Sequence, residues 1–308
     1  MLHPLAALPR NGLQPAFKHV ACIYDIPSSP DVGRLDRLLV RRAWRRLSQA
    51  DVVWSSDKYK ARLAKESGGL ADLPLICHNC PPRNYLPDPT TPRDGWLREQ
   101  LRHQGAGLTE SEGCVLLRAG AIGECGGIEA TLEGMRSLPE DYVFVMMGRP
   151  HDSYKKHLLE LIAALRLEHR AFLWDRPSDE VWKRALQGAD LGHLIHGPFA
   201  SEPMKRSYEL NSSLSNNRLF QYMAAGLPII AYNDPRLNDI YSEVPCFCVA
   251  RLASLAHDIR LSWQELGTKQ AFRVRLGGAG RRAHLKTFNW EFQFGTVLDR
   301  IRSASCRD

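Results

Sequence analysis

From about residue 17 onward, short apolar runs alternate with longer stretches in which apolar positions recur every three or four residues. A run of four to seven apolar residues bounded by Gly, Pro or polar residues is the pattern of a buried strand. A period near 3.6 is that of a helix packed on one face. HVACIY (19–24), DVVW (51–54) and LPLICH (73–78) are predicted as strands, with two helical stretches between them. Residues 81–113 carry Pro81, Pro82, Pro87, Pro89, Pro92, Gly105 and Gly107, and this punctuation reads as a linker holding one short helix around Trp96–His103. Beyond it the rhythm is regular, with strands at 114–120, 142–148, 170–174 and 190–196 and helices at 127–136, 153–166 and 178–187 between them. After a long loop come a helix at about 214–225, strand LPIIA (227–231), a helix from about 236, strand FCVA (247–250) and a helical end. Strands joined by helical crossovers make parallel sheets, so the fold class is α/β. The expected division is 1–105 for a first domain with its linker, 106–285 for a second, and 286–308 for a closing helix.

Composition narrows the class without choosing a function. A chain of 308 residues, 44% hydrophobic and 24% charged, is an ordinary globular protein, which excludes fibrous and disordered classes. A net charge of +7 favours an acidic partner: nucleic acid, anionic lipid or a phosphorylated small molecule. Nucleic acid has only this charge in its favour and is not expected as a partner. No apolar run approaches the roughly 18 residues of a membrane span, and MLHPLAALPRNG lacks the apolar core of a signal peptide, so a cytoplasmic location is expected. The eight cysteines are scattered, which points to reduced thiols. Cys77 and Cys80 lack a second ligand pair at zinc spacing, and no metal is expected. The helix at 33–48 sets Arg34, Arg37, Arg41, Arg42, Arg45 and Arg46 beside a leucine stripe. It fits peripheral contact with an anionic membrane, at the inner face, and equally a solvated basic face on a helix packed against the first sheet.

The chemistry concentrates near residues 213–228. Asn217 and Gln221 are four apart and share a helix face, beside the apolar stripe of Phe220, Met223 and Ala224. Ser213, Ser215 and Asn216 precede the helix as candidate caps, and a helix N-terminus with free amides suits a diphosphate. Gly226 ends the helix and Pro228 opens the strand. A capped amphipathic helix with no ligand would show the same caps, stripe and stop. His193 and His196 close a strand and read first as packed or solvated histidines.

LSNNRLFQYMAAGLPIIA resembles the donor-site segment of retaining GT-B glycosyltransferases of the family-4-like group. The resemblance extends in motif order over about residues 17–302: CVLLRAGAIGECGGIEATLEGMRSLP resembles the strand, glycine turn and helix that open the donor domain, and YVFVMMGRP the next strand. ADVVWSSDKYKARL with LICHNCPP resembles the end of the acceptor domain, and NWEFQFGTVLDRI the closing helix that returns to it. The resemblance implies two Rossmann-like domains facing a cleft, the N-terminal one incomplete. It also implies metal-independent transfer of a sugar, with retention, from a nucleotide diphosphate donor to an unidentified acceptor, and no cofactor. Carried over by position, Gly120, Asn217, Arg218 and Gln221 would bind the donor, with Gly148 at the end of the next strand and Ser213 before the helix, while Arg118, Arg149, Lys205 and Arg206, in or beside the strand ends and loop that would face it, would supply the displaced charge. Asp25 and Arg218 would serve catalysis. The sequence departs from the family where it places Ala121 and Gly126 at positions that usually carry phosphate-binding cations, and Gln221 at that of the ribose-binding glutamate. Ser213 stands where many members carry an acidic residue. About 16 residues precede the first matched strand, so a partner chain completing the N-terminal domain is one expectation. A catalytically silent nucleotide-sugar-binding subunit is the alternative reading.

Overall fold

The computed structural model describes residues 20–23, 42, 44–87, 95–108, 113–175, 177–197, 217–234 and 237–305. The chain forms two compact units, one of residues 1–82, 201–217 and 287–308, the other of 83–200 and 218–286.

In the first unit, β1 (Val20–Ile23), β2 (Val52–Ser55) and β3 (Leu75–Ile76) pair in parallel in that order, with Val20 opposite Val52 and Trp54 opposite Leu75. Helix α1 (Lys58–Gly68) begins where the Asp57 carboxylate accepts from the Lys60 amide at 2.8 Å and stops at Gly69, whose φ of 65° is left-handed. One face of the sheet is covered by Leu47, Ala64 and Leu70, which pack with Ile23. Cys77 and Cys80 are buried just past β3, where loss of water pushes the Cys77 thiol up to about 11 and raises Cys80 as well. Both remain thiols, and among the described residues no three His, Cys, Asp or Glu side chains converge as a metal site would require.

The second unit opens with α2 (Trp96–His103), in the stretch whose prolines and glycines read as a linker. Leu97 and Leu101, one helical turn apart, are fully buried, and Arg98 Nη2 donates to Asp190 Oδ2 at 2.6 Å. That apolar pair makes 95–104 part of the unit's packing; the chain divides by contacts after Pro82, not near 105. Next come β4 (Cys114–Ala119), α3 (Ile128–Met135), β5 (Tyr142–Gly148), α4 (Asp152–Ala164), β6 (Ala171–Asp175), α5 (Asp179–Gly188) and β7 (Leu191–Leu194). They are followed by α6 (Asn217–Ala225), β8 (Ile229–Tyr232), α7 (Asn238–Glu243), β9 (Phe247–Ala250), α8 (Leu255–Thr268) and α9 (Gln270–Lys286). The six strands are parallel in the order β6-β5-β4-β7-β8-β9. The wholly buried runs CVLLRA and YVFVMMG are central strands covered on both faces. One large core, running through Leu116, Phe144, Leu191, Ile230 and Trp263, joins the sheet to α3 and α8.

Numbered from β4, the order is 3-2-1-4-5-6, the doubly wound arrangement in which successive connections leave in opposite directions between β4 and β7. Ligands of such sheets sit at the carboxyl ends of the strands bordering that reversal. The last helix, α10 (Trp290–Ser305), belongs to the first unit and buries Val297 against Val52 and Cys77.

Candidate functional site

The two strands at the reversal diverge quickly. They share only the pairs Leu116–Leu191 and Leu117–Gly192. The Tyr222 ring from α6 fills the gap, lying so close to Gly192 that a Cβ there would sit 2.5 Å from it. Tyr222 Oη accepts from the Ala119 amide at 2.9 Å and lies 2.9 Å from the Leu117 carbonyl, to which it donates. A single side chain thus satisfies backbone groups of β4 that β7 no longer reaches.

Past Ala119 the chain turns sharply. Gly120 has φ +133°, and Nε and Nη2 of Arg218 lie 2.8 Å from where its Cβ would be. A Cβ on Gly148, at the end of β5, would fall inside the Gly120 carbonyl. Only glycines allow these strand ends and the Arg218 guanidinium to come together.

Arg118 reaches the same turn from within β4 and is 2% exposed. Its Nη1 donates to the carbonyls of Gly126 at 2.8 Å and Ile195 at 3.1 Å, and its Nη2 donates to Ala121 O at 3.0 Å. Nη1 also lies 3.1 Å from His193 Nδ1. The two hydrogens of Nη1 are shared among these three neighbours, and since guanidinium has no acceptor, Nδ1 must be the bare nitrogen and Nε2 must carry the proton. Nε2 lies 2.8 Å from Thr131 Oγ1 and donates to it, while Thr131 passes its own hydrogen to Gly127 O at 2.7 Å. Full burial, then the charges of Arg118 and Arg218, hold the His193 pKa well below the usual imidazole range. His193 is therefore a neutral acceptor that orients Arg118. Together they clasp the 120–127 turn to the end of β7.

Helix α6 carries Arg218 in its first turn, 4% exposed, and Gln221 three residues on, half-buried. Trp182 Nε1 donates to Gln221 Oε1 at 3.3 Å, and Gln221 Nε2 donates to Tyr85 Oη at 3.2 Å. The far end of α6 is closed by Gly226, whose φ is 65°, and by Arg281 Nη1 donating to the Ala224 carbonyl.

Of the residues expected at a donor site, Arg118, Gly120, Gly148 and Arg218 meet around the β4 turn, and Gln221 follows on the same helix. Arg118, expected among the cations facing the donor, donates to three backbone carbonyls and so holds the turn. Arg149, directly after β5, and Asn217, at the start of α6, are exposed. Asp25, Lys205, Arg206 and Ser213 lie outside the described residues, as does most of the arginine-rich stretch at 33–48. Sequence reasoning missed Tyr85, Thr131, Trp182 and Tyr222. Tyr222 was visible only as a member of the apolar helix, and Tyr85 stands 136 positions from the Gln221 it bonds.

Compared by sequence, the chain matches no family model and no curated protein. Compared by structure, it is similar to Anabaena HepE solved with UDP and glucose, with TM-score 0.69, 17% identity, and 92% of this chain and 71% of that one covered. It is also similar to a glycosyltransferase from Rickettsia africae, with TM-score 0.67, 14% identity, and 94% and 71% covered. WaaG, a glycosyltransferase involved in lipopolysaccharide biosynthesis, gives TM-score 0.60, 15% identity, and 92% and 74% covered.

Proposed function

We propose that this chain, whose fold is GT-B as its motif order implied, binds a nucleotide diphosphate sugar at the carboxyl end of β4 and transfers the sugar to an acceptor. The observation that carries the reading is the Arg218 guanidinium, buried in the first turn of α6 and laid over Gly120 at the reversal of the sheet. Transfer breaks the bond between the sugar's anomeric carbon and the diphosphate, which leaves with the electron pair. The acceptor oxygen forms the new bond and loses its proton. Such a reaction needs fixed positive charge where the leaving group forms, and a buried guanidinium beside helix amides supplies it without a metal. The HepE complexes with UDP and with UDP-glucose favour a uridine nucleotide as the first to test. Retention of configuration and a role for Asp25 on the acceptor side rest on the sequence resemblance, and contact of residues 33–48 with an anionic membrane rests on their composition.

A second reading, nucleotide-sugar binding without transfer, draws on the same geometry. Ala121 and Gly126 carry no charge, Arg118 is turned to carbonyls, and Gln221 is neutral. Calorimetry against UDP, GDP, ADP and UDP-glucose, followed by assay of sugar release on the same samples, separates the readings. Binding with release supports transfer, and binding without release supports the silent subunit. Arg218→Ala should weaken nucleotide binding at least about tenfold, the scale of one charge-assisted hydrogen bond. Arg218→Lys, which keeps the charge and loses the fork, should fall between. Equal affinity in Arg218→Ala and the parent would refute the site.

A further inference from the structure

Arg218 and Gln221 stand three residues apart on α6 and so share a face, about 5–6 Å from each other along the helix. A ligand whose anionic group meets Arg218 therefore brings its next few atoms to Gln221. The orientation of that amide is decided by its partners. The indole nitrogen of Trp182 can only donate, so the atom 3.3 Å from it must be the carbonyl oxygen, and the NH2 group must face Tyr85. Tyr85 is itself held: Lys183 Nζ lies 5.2 Å from its ring centroid, and burial together with the Asp179 charge pushes its hydroxyl up to about 12, so it stays a neutral phenol. After these two bonds an amide keeps one lone pair on oxygen and one hydrogen on nitrogen. They are one acceptor and one donor. A carboxylate in the same place would offer acceptors only, and Tyr85 would have to reverse its hydroxyl to meet it.

We propose that Tyr85 and Trp182 are positioning residues that set Gln221 to read a vicinal diol beside the anion held by Arg218, one hydroxyl donating to Oε1 and the other accepting from Nε2. The inference rests on the nucleotide reading above, because in a nucleoside diphosphate the ribose diol follows the phosphates. It differs from a carboxylate's grip on the same diol, which takes a hydrogen from both hydroxyls. Selectivity for the intact diol then depends on Tyr85, a residue that need not touch the nucleotide.

The test is calorimetry with whichever of UDP, GDP and ADP binds the parent most tightly, alongside its 2′-deoxy and 3′-deoxy forms, in the parent, Tyr85→Phe and Trp182→Phe. The parent should prefer the intact diol by about tenfold over each deoxy form, one hydrogen bond's worth. With only the Trp182 bond left to hold the amide in Tyr85→Phe, that preference should fall to about twofold, with the intact nucleotide weakened and the deoxy forms nearly unchanged. Trp182→Phe should act in the same direction. A role confined to packing would weaken all forms by one factor and leave the ratio untouched, and that result overturns the proposal, as does a parent with no diol preference. A parent that binds none of the three nucleotides defeats the nucleotide reading itself, and this inference with it, before any variant is compared.

Discussion

Arg118 and Arg218 approach one glycine turn from two elements, and His193 feels both charges while remaining neutral between Arg118 and Thr131. A neutral imidazole is required there, since a proton on Nδ1 would face a guanidinium. The folded-state pKa is lowered, so at acid pH the unfolded chain takes up this proton first. The stability that His193 contributes is therefore full above the ordinary imidazole pKa of about 6.5 and is lost as pH falls below it. Urea midpoints between pH 7.5 and 5 should fall more steeply in the parent than in His193→Asn, by up to about 1.4 kcal/mol per pH unit. Asparagine keeps an oxygen near the Nδ1 position and does not titrate. Parallel slopes would show that His193 is not buried as the neutral form. The sequence left His193 as a packed or solvated histidine; it is packed, and its tautomer and its duty toward Arg118 depend on side chains up to 75 positions away. For the same reason Arg118 was legible as a cation at the right turn and not as one committed to carbonyls.

At the scale of elements, β4 and β5 end in contact through Gly120 and Gly148, and this contact places the turn that α6 then faces. A methyl group on Gly148 would overlap backbone, which no rotamer change relieves. Gly148→Ala should cost about 3 kcal/mol or more of unfolding free energy, at the upper end of overpacking costs, and should weaken nucleotide binding further than the stability loss explains. Matched denaturant and calorimetric titrations check both, and a variant as stable as the parent would show that the strand ends part readily. Strands and helices of this unit were readable because buried parallel strands make short apolar runs and their crossover helices keep a 3.6 period. Helix α2 was readable too, but its membership of this unit was not. Its prolines and glycines signalled a linker, while the pair Leu97 and Leu101, buried against the unit, was too short a pattern to weigh against them.

For the whole molecule, the chain contributes to the first unit from three separate segments, the last of which carries α10. Val297 of that helix packs with Val52 and Cys77, and Phe294 meets the Trp54 ring edge-on at 5.8 Å. Ending the chain after Lys286 should uncover that face of the three-stranded sheet. Amide exchange in 52–55 and 75–77 should then rise by orders of magnitude while 114–119 and 142–148 stay protected. Unchanged protection in β2 would show that the sheet does not depend on α10. By itself the sequence determined the α/β class and the succession of strands and helices, both written in local periodicity, and through its resemblance to known motifs it implied the GT-B fold. Only the tertiary structure decided that Arg118 serves the turn, that Arg218 lies over Gly120, and that Tyr85 and Trp182 hold Gln221. Those pairings join residues distant in sequence, and hydrogen-bond direction is set by which donor meets which acceptor in space, a relation that no local pattern records.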